Sequence, residues 1–369
     1  MKVTVLEWIC GGGLISTPVQ QISESLRAEG WLMVDCLVHE LLAASHDVTL
    51  ILDGRLMSTH LETGVATRDR LQLHWLNDRC DTVEEVLNSW VQVAVHSELA
   101  IVVAPEIDGA LTFAIESLSA AGISLLNCCG DFLHLASDKF DFARRLEKHQ
   151  ISHPPTYLLS DLGDSFSASL FAKNFQTRNC IVKPRNGAGC DGSLIANTEM
   201  IDSLCRSNRL PDNLANWIVQ PWIEGQAMSC SCIVDRHGVS HWGPLVTQEL
   251  CSKPDSTDNW PEQGNLQYLG GRVIGALPQA LHGHLEKLMA ALGPRALGWV
   301  GIDIVQSSDG TCWVMEVNPR LTTSVIGLSQ ATKHRGWLGD SLIRAAEGKP
   351  LHTFDWTKAQ VTFSVAANH

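Results

Sequence analysis

Three polar side chains at every second position mark the segment Cys312 to Ser324, which reads CWVMEVNPRLTTS. Side chains of a β-strand alternate between its two faces, so Glu316, Asn318 and Arg320 are predicted to share one face. The apolar residues between them would share the other face and pack on a core: Trp313, Met315 and Val317. One face of this strand is therefore expected to carry charged chemistry.

A neighbouring strand-like segment, GIDIV, adds another carboxylate, Asp303. If the two strands are antiparallel neighbours, Asp303, Glu316 and Asn318 converge on one patch. Hard divalent cations such as Mg²⁺ take oxygen ligands of this kind and bridge substrate phosphates. The alternative is a solvent-facing strand with ordinary acids, but the flanking sequence is strongly apolar. The pattern favours a metal site.

A glycine-rich loop, RNGAGCDG at residues 185–192, directly follows the strand NCIVKP and its Lys183. Backbone N–H groups of such a loop can close over phosphates, and a lysine on the preceding strand can neutralise them. A plain hairpin turn is the competing interpretation, because Gly and Asn are common turn residues. It is not a Walker loop, since no Gly-Lys-Ser/Thr closes it.

Two further segments carry weaker signals. Gly11–Gly13 follows the first strand, but Ser16 stands where a dinucleotide fingerprint needs its third glycine. A tight turn between strand and helix is favoured there, with an anion at the helix N-terminus left open. The segment WIVQPWIEG, residues 217–225, reads as an apolar strand ending in an extended linker. An extended linker of this kind can stack against an adenine ring. The competing interpretation is an ordinary strand that enters a turn.

Composition limits the function classes. The chain has 369 residues, of which 45% are hydrophobic and 18% charged, as in a soluble enzyme of two or three domains. The net charge of -13 argues against nucleic-acid binding. No apolar run approaches the roughly 20 residues that a membrane helix needs. The twelve cysteines form no paired CxxC motifs, so they are expected to be reduced thiols of a cytoplasmic protein.

Residues 1–130 alternate strands and helices, which predicts a Rossmann-like parallel sheet covered by helices. The predicted strands are KVTVLEW, DVTLILD, LAIVVAP and ISLLN, and the predicted helices are residues 20–29, 33–42 and 110–121. Beyond residue 131 we expect a helix near Ser137 that ends before HQISHPPT, and a helix over residues 281–291. Further strands are expected on both sides of the turns DRHG and SSDG, and residues 252–265 form the most polar loop.

In this order, ASDKF with Lys139, HQISHPPT, CIVKP, the glycine-rich loop, IVQPWIEG, GIDIV and MEVNPR resemble the ATP-grasp superfamily of carboxylate–amine ligases. The resemblance spans roughly residues 131–328. It implies an α/β protein in which two α+β lobes grip ATP, preceded by a Rossmann-like parallel α/β domain. The implied boundaries are 1–130 for the N-terminal domain, 131–215 for the central lobe and 216–369 for the C-terminal lobe.

The resemblance also implies residue roles. Lys139 and Lys183 would hold the ATP phosphates, and Arg320 would stabilise the transferred phosphoryl group. One or two Mg²⁺ ions, with Mn²⁺ as a substitute, would bind Asp303, Glu316 and Asn318. The phosphate loop and the adenine pocket would use Gly187, Gly189, Gly192, Gln220, Pro221, Trp222 and Ile223. Ala227 occupies the position of the usual ribose-binding glutamate, so Glu224 is the candidate for that contact.

Two stretches, EWICGGG and EVNPRLTTSVIGL, are similar to the tyramine–L-glutamate ligases of methanofuran biosynthesis. That similarity implies an amide bond between the γ-carboxylate of L-glutamate and a phenolic amine such as tyramine or tyrosine. The reaction would proceed through an acyl phosphate and release ADP and phosphate. On the substrate side, Arg272 would bind a carboxylate, the hydroxyls of residues 322–324 would lie beside the acyl phosphate, and Glu7 or Asp108 would receive the amine.

Two alternatives stay open. One is another ATP-grasp amino-acid or peptide ligase with a different acid and amine. The other is a non-catalytic nucleotide-binding protein, or a protein whose N-terminal domain binds a dinucleotide. All three interpretations predict small-molecule partners and neither nucleic acid nor membrane, and they leave homo-oligomer formation undecided.

Overall fold

The computed structural model describes residues 1–56, 69–76, 80–162, 179–188, 190, 192–197, 200, 213–252, 266–357 and 360–365. Its N-terminal part is a parallel four-stranded sheet in the order β3-β2-β1-β4. The strands are β1 (Lys2–Glu7), β2 (Asp47–Leu52), β3 (Leu71–Trp75) and β4 (Leu99–Val103). Helices α1 (Glu24–Ala43), α2 (Val83–Ala94) and α3 (Ala110–Ala120) accompany it. The predicted parallel α/β domain is confirmed.

Within this domain several predicted elements differ from the structure. The two helices predicted over residues 20–29 and 33–42 are one helix, α1, which begins after the N-cap Ser23. Gly30 does not interrupt it; a Cβ there would lie 3.0 Å from Glu7 Oε1, so a small residue is needed for close packing. The segment ISLLN forms only a single bridge between Leu125 and Ala100. Strand β3 and helix α2 were not predicted from the sequence.

A small antiparallel sheet follows, in the order β5-β8-β6-β7. Its strands are β5 (Tyr157–Leu158), β6 (Asn179–Pro184), β7 (Leu194–Asn197) and β8 (Trp217–Pro221). It has its own compact apolar core, which includes Leu159, Val182, Leu194 and Val219. Because β8 pairs with β6, this sheet extends past the boundary predicted after residue 215; the three domain boundaries themselves stay predictions.

The large sheet has seven strands, in the order β14-β13-β9-β11-β12-β15, with β10 paired to β9, and its pairings are antiparallel. The strands are β9 (Gln226–Val234), β10 (Ser240–Trp242), β11 (Leu245–Ser252), β12 (Leu266–Gly275), β13 (Gly298–Gln306), β14 (Cys312–Asn318) and β15 (Val361–Ser364). The predicted strand pairs around DRHG and SSDG are confirmed. Most of the predicted polar loop, residues 252–265, lies outside the described residues.

Five helices cover the large sheet within the described part of the chain: α4 (Gly130–Ser137), α5 (Lys139–Lys148), α6 (Gln279–Leu292), α7 (Ser324–Ala331) and α8 (Trp337–Glu347). One face of the sheet packs on α4, α5 and α6, with Val314 and Val317 in that core. The other face contributes Ile233, Val246 and Trp299 to a core that continues into the N-terminal sheet and α1. The large sheet and the N-terminal domain therefore share apolar packing.

Glu40 of α1 adds a polar connection to this shared packing. Its side chain is 5% exposed and lies between α1 and the C-terminal helices. Glu40 Oε1 accepts a hydrogen bond from Ser329 Oγ at 2.7 Å, and Oε2 accepts one from Leu338 N at 3.0 Å, near the start of α8. A carboxylate at a helix N-terminus satisfies an otherwise unpaired N–H group and is favoured by the helix dipole.

A β-bulge changes the orientation of β14. Asp303 pairs with Glu316, but the next pair is Ile304 with Val314, so Met315 is an extra residue on β14. The predicted apolar face of Trp313, Met315 and Val317 is therefore wrong: the core-facing residues are Val314 and Val317, and Met315 lines the cleft. Glu316 and Asn318 still share a face, as predicted.

Among the residues that the structure describes, no helix is long and apolar enough to cross a membrane.

Candidate active site

A cleft with a cavity of about 400 Å³ lies between the small sheet and the large sheet. Apolar side chains of Ile181 and Ile195 line it from the small sheet, and Leu250 and Leu266 from the large sheet. The predicted phosphate and metal residues face the same cavity. Those residues are Lys139, Lys183, Gly187, Asp303, Glu316, Asn318 and Arg320. The structure thus brings together side chains from 139 to 320 that the sequence analysis assigned to one site.

Lys139 connects the glycine-rich loop to the predicted metal strand. It is the first residue of α5, where the N-cap Asp138 accepts hydrogen bonds from Phe140 N and Asp141 N. Its Nζ donates a short hydrogen bond to the Gly187 carbonyl and lies 3.3 Å from Glu316 Oε2. The side chain is 8% exposed. This ammonium group is therefore fixed at the point where the loop meets β14.

Asp303 is held by two amide side chains. Gln248 Nε2 donates to Asp303 Oδ1 at 2.8 Å, and Asn318 Nδ2 donates to Oδ2 at 3.0 Å. The pairing of β13 with β14 places Asp303 directly opposite Glu316, as the antiparallel prediction required. Gln248 is on β11, which is separated from β13 by β9, and its side chain also faces the cleft. The two acids and two amides form one polar cluster on the floor of the cavity.

The two acids have opposite pKa shifts. Burial alone would raise the pKa of Glu316, but the Lys139 and Lys183 ammonium groups outweigh it and lower that pKa to about 2. Burial and the adjacent Glu316 carboxylate raise the pKa of Asp303 to about 7. Burial also lowers the pKa of Lys183, although Glu316 opposes this. The cluster therefore holds one firmly ionised carboxylate and a second one whose ionisation is opposed by burial and by its acidic neighbour.

This donor set fits Mg²⁺. Within the described ranges, no group of three or more His, Cys, Asp and Glu side chains could hold a metal ion. Asp303 and Glu316 supply two carboxylates, and Asn318 can add an amide oxygen. Magnesium usually binds one or two carboxylates and completes its shell with water and substrate phosphates. A divalent cation would also offset the two adjacent buried acids, so these three residues would hold it.

Only part of the predicted phosphate-binding loop lines the cleft. Gly187 lines the cleft and accepts the Lys139 hydrogen bond through its carbonyl. Gly192 has a φ of 68°, a left-handed conformation that favours glycine, and lies next to Pro184 outside the cleft lining. Gly189 lies outside the described residues. Cys190 lines the cavity from the same loop, and burial raises the pKa of its thiol to about 12. It is therefore a neutral thiol.

At the far end of β8 the predicted adenine segment is partly in place. Pro221, Trp222 and Ile223 line the cleft. Gln220 does not line the cleft. It is 2% exposed, and its Nε2 donates a hydrogen bond to Thr156 Oγ1 at 2.8 Å, next to β5 of the small sheet. Alternation along β8 turns its side chain away from its neighbour Pro221. Glu224 is exposed and is not part of the cleft lining, so the ribose contact predicted for it is unsupported.

Arg320 has a partner that the sequence analysis did not anticipate. Its guanidinium lines the cleft but also forms a buried two-point ion pair with Glu106, from the segment after β4 of the N-terminal domain. Arg320 Nη2 donates to Glu106 Oε2 at 2.9 Å, and Nε donates to both carboxylate oxygens at 3.0 and 3.1 Å. The N-terminal domain therefore reaches the site through a charged contact.

The hydroxyls predicted beside the acyl phosphate do face the cavity, at residues 322–324. Thr322 Oγ1 accepts a hydrogen bond from Trp299 Nε1 at 3.1 Å and lies 2.9 Å from Ser324 Oγ. Thr323 is hydrogen-bonded to the Tyr268 hydroxyl, and burial raises the pKa of that tyrosine. Glu29 of α1 lines the same region. This end of the cleft combines hydroxyls with groups of both charges.

Arg272 is not in the site. It is exposed, and its Nη1 donates to Gln360 Oε1 at 3.2 Å. The neighbouring Val273 faces the core shared with the N-terminal domain, so Arg272 points to the opposite side of β12. A second bulge explains why Tyr268 nevertheless reaches the cleft: Glu249 pairs with Gly270 and Leu250 with Tyr268, which changes the alternation.

Glu7, Asp108 and the first glycine run also lie outside the cleft lining. Glu7 is 1% exposed, and its Oε2 accepts a hydrogen bond from Cys10 N at 2.6 Å. A Cβ on Gly13 would overlap the Trp8 ring, which packs edge-on against Trp90 at 6.0 Å. The run is therefore a structural turn, as the favoured interpretation of its sequence has it.

Four polar residues that face or support the cleft were not predicted from the sequence: Gln248, Tyr268, Glu29 and Glu106. Gln248 and Tyr268 occupy strands whose register could not be predicted, because the intervening polar loop carries no pairing signal. Glu29 carried no signal, because the helix predicted over residues 20–29 ended there instead of continuing. Glu106 follows the predicted strand LAIVVAP, and a polar residue at the carboxyl end of a parallel strand is a usable signal.

Comparison with protein families gives two matches. A model described as an ATP-grasp domain matches residues 136–324, and one described as a pre ATP-grasp 3 domain matches residues 46–131. The first covers 189 of the 369 residues, which is more than half of the chain. No curated protein sequence matches.

Solved structures share the fold. A protein assigned to the ATP-grasp superfamily from Archaeoglobus fulgidus has a TM-score of 0.62 and 18% identity, with 100% of both chains covered. N5-carboxyaminoimidazole ribonucleotide synthetase from Thermus thermophilus has a TM-score of 0.62 and 14% identity, covering 98% of this chain and 81% of that one. The biotin carboxylase domain of Hydrogenobacter thermophilus 2-oxoglutarate carboxylase, solved with MgADP and bicarbonate, has a TM-score of 0.61 and 15% identity. The match covers 96% of this chain and 71% of that one. At these identities the likeness establishes the ATP-grasp fold alone.

Proposed function

The chain belongs to the ATP-grasp family, and from this premise we propose that it is an ATP-dependent ligase that activates a carboxylate and joins it to an amine. The observation that carries the proposal is the cluster of Lys139, Lys183, Asp303 and Glu316 inside one cleft, in which both lysines are buried and both acids are half-buried. Removing ionisable groups from water is costly unless they are paired or bind a charged ligand. ATP phosphates with a divalent cation are such a ligand.

In the proposed reaction, an oxygen of the substrate carboxylate attacks the γ-phosphorus of ATP. A carboxylate O–P bond forms, the bond between the γ-phosphorus and the bridging oxygen breaks, and ADP leaves. The amine nitrogen then attacks the acyl carbon of the acyl phosphate, phosphate leaves, and the nitrogen loses a proton to give the amide. A bound Mg²⁺ supplies charge neutralisation at the phosphate oxygens.

The chain's own contribution is positioning and charge stabilisation. Lys183 faces the cleft from β6, and Lys139 spans the loop carbonyl of Gly187 and Glu316. Both ammonium groups oppose the negative charge of the transferred group, and the apolar cleft walls strengthen that attraction by excluding water. Arg320, which lines the same cavity, would stabilise the charge of the transferred phosphoryl group.

For the substrates, we propose the γ-carboxylate of L-glutamate and a phenolic amine such as tyramine or tyrosine, as in methanofuran-type cofactor biosynthesis. Two features support this choice: the similarity of EWICGGG and EVNPRLTTSVIGL to that ligase group, and the charges at the inner end of the cleft. Arg320 suits a substrate carboxylate there, and Glu29 suits an amine. EWICGGG supports kinship only, because its Glu7 and glycines do not line the cleft.

The test is ADP release with ATP and Mg²⁺ across a matrix of acids and amines. L-Glutamate, L-aspartate and bicarbonate serve as acids, and tyramine, tyrosine and ammonia as amines; bicarbonate is included because the Hydrogenobacter neighbour was solved with it. Each product is identified by mass spectrometry, and Glu316→Gln serves as the inactive control.

Three outcomes separate the possibilities. ADP release that requires glutamate and one phenolic amine, with a γ-glutamyl amide of the expected mass, supports the full proposal. Release with another pair keeps the ligase and replaces the substrates. MgATP binding without turnover on any pair, equal in wild type and Glu316→Gln, contradicts the ligase proposal and favours the non-catalytic alternative.

A further inference from the structure

The ion pair between Glu106 and Arg320 joins parts of the chain that are 214 residues apart. The side chains are 3% and 9% exposed, so neither charge is screened by water. The guanidinium presents two adjacent nitrogens to the two carboxylate oxygens, which is the fork geometry of strong arginine–carboxylate pairs. Such a pair fixes the plane of the guanidinium as well as its position.

Both partners lie just beyond the end of a strand. Glu106 lies just beyond β4, between that strand and α3, at the carboxyl edge of the N-terminal sheet. Arg320 follows β14 by two residues and precedes α7. Its Nη1 also donates to the carbonyl of the adjacent Leu321 at 3.2 Å. Each partner is thus placed by the strand that precedes it.

Arginine has five N–H donors. In the described part of the chain, protein acceptors engage the Nε hydrogen, one Nη2 hydrogen and one Nη1 hydrogen. Two donors, one on each terminal nitrogen, are left for a ligand. Since Arg320 lines the cleft that also contains Lys139 and Lys183, those two donors are suited to the oxygens of one phosphoryl or carboxylate group.

We propose that Glu106 is a positioning residue of the ligase: it fixes the Arg320 guanidinium so that the two remaining N–H donors face the transferred phosphoryl group. The inference rests on the proposed phosphoryl transfer, and it makes the N-terminal domain part of the catalytic machinery. It also gives Glu106 a purpose that interdomain packing alone does not require, since apolar contacts already join these domains.

A fixed arginine matters here because other acids are within the same cavity. Glu316 and Glu29 both line the cleft with Arg320. A buried guanidinium that loses its carboxylate partner is strongly destabilised and will turn toward another one. Pairing with Glu316 would take that carboxylate from its predicted role at the metal. Glu106 therefore keeps two catalytic charges apart as well as orienting one of them.

Four variants test this assignment. Glu106→Gln keeps the shape and removes the charge, Glu106→Asp keeps the charge on a shorter side chain, and Arg320→Gln removes the positioned group. Glu40→Gln is the matched control, because Glu40 is equally buried and joins the same domains through Ser329 and Leu338 but lies outside the cleft. A purely structural role for Glu106 predicts similar behaviour of the two glutamine variants.

With the best acid–amine pair, Glu106→Gln should lower kcat by about 10–100-fold, the usual effect of losing a residue that orients a catalytic group. The KM for the amine should change by less than about 3-fold, because the arginine contacts the transferring phosphoryl group and not the amine. Glu106→Asp should recover part of kcat. Adding Glu106→Gln to Arg320→Gln should cause no further loss. Additive losses, or an equal loss in Glu40→Gln, would overturn the inference.

A binding measurement keeps the inference testable if no acid–amine pair turns over. Dissociation constants for ADP and for the non-hydrolysable ATP analogue AMP-PNP, both with Mg²⁺, report the γ-phosphoryl contact as their ratio. Arg320→Gln and Glu106→Gln should both reduce the preference for AMP-PNP by about 10-fold, and Glu40→Gln should not. An unchanged ratio in Glu106→Gln refutes the positioning role, whereas a lack of turnover with a changed ratio refutes only the ligase proposal.

Discussion

Two glutamates, the buried Glu7 and the half-buried Glu316, lie beside glycine-rich segments in this protein, and their surroundings shift their pKa values in opposite directions. Glu7 lies next to Gly11–Gly13, and burial raises its pKa to about 7 although backbone N–H groups of Ile9 and Cys10 oppose the shift. Glu316 lies beside the loop of residues 185–192, and the ammonium groups of Lys139 and Lys183 overcome burial and lower its pKa to about 2. In sequence, each is an acid near glycines.

The difference shows what separates a structural carboxylate from a candidate catalytic one. Near Glu7, glycine is required at positions 11–13 because Trp8, Trp90 and Leu76 occupy the space where a side chain would lie. Around Glu316 the loop borders a cavity, and two cations have been brought into an apolar environment to face it. Buried cations that converge on a cavity are costly without a ligand, and this cost is the signal of function.

The largest contrast is expected in turnover. Glu316→Gln removes the charge that holds Lys139 and one predicted metal ligand, so kcat should fall on the order of 10²–10³-fold. Glu7→Gln, the matched control, should change kcat by less than about 3-fold, because Glu7 does not line the cleft. ADP release by the two variants measures this, with circular dichroism to verify folding. Near-normal turnover in Glu316→Gln would remove the metal assignment.

The second contrast concerns pH and stability. Since folding raises the pKa of Glu7 from 4.5 to about 7, the native state binds more protons than the unfolded state between these values. The free energy of unfolding contributed by this group is therefore complete below pH 4.5 and is lost as pH rises to 7. Relative to Glu7→Gln, wild type should lose about 3 kcal/mol between pH 4.5 and pH 8.

Urea unfolding of both proteins at the two pH values measures this difference. The sign is as important as the size: the variant should gain stability relative to wild type on going to alkaline pH. An equal stability difference at both pH values would show that Glu7 is already ionised at low pH or hydrated in the native state.

The glycines give a third contrast, of about 1–3 kcal/mol. Gly13→Ala places a Cβ against the Trp8 ring, which cannot move because Trp90 packs on it, so the melting temperature should fall. Gly187→Ala meets only Pro184 Cβ at 3.3 Å and should cost less than about 1 kcal/mol, while the KM for ATP rises. Calorimetry and ADP-release kinetics on both variants separate the two effects. A larger stability loss in Gly187→Ala would reverse the comparison.

The smallest effect should come from Arg272→Gln, which serves as a baseline for both glutamates. Arg272 is exposed and contacts Gln360, so its loss should change turnover by less than about 2-fold and stability by less than about 0.5 kcal/mol. A marked rise in the KM for the acid substrate would restore the role that the sequence analysis gave this residue.

Local pattern was sufficient for the central part of the site. Alternation within GIDIV and MEVN, together with the short turn SSDG, predicted an antiparallel pair in which Asp303, Glu316 and Asn318 meet, and that geometry is confirmed. The parallel N-terminal sheet was likewise predictable from buried β-branched runs separated by helices. These features depend on residues that are close in sequence.

What sequence could not supply depends on tertiary register. The bulge at Met315 exchanges the faces of β14, and the bulge near Leu269 places Tyr268 in the cleft while Arg272 points away. Gln220 was assigned by its position in a motif, yet alternation along β8 turns it inward. Glu106 joins Arg320 across 214 residues, a pairing that no local pattern encodes. One extra residue in a strand is enough to reverse a prediction of orientation.

The core shared by the N-terminal domain and the large sheet has a consequence for cooperativity. Residues of β1, β2 and α1 bury the same apolar surface as Ile233, Trp299 and Phe363, so neither part can unfold without exposing the other. The small sheet has a separate apolar core and does not share this buried surface. We therefore expect the N-terminal domain and the large sheet to unfold as one cooperative unit, and a chain that lacks residues 1–130 to be unstable, because its large sheet would expose the apolar face that the N-terminal domain now covers.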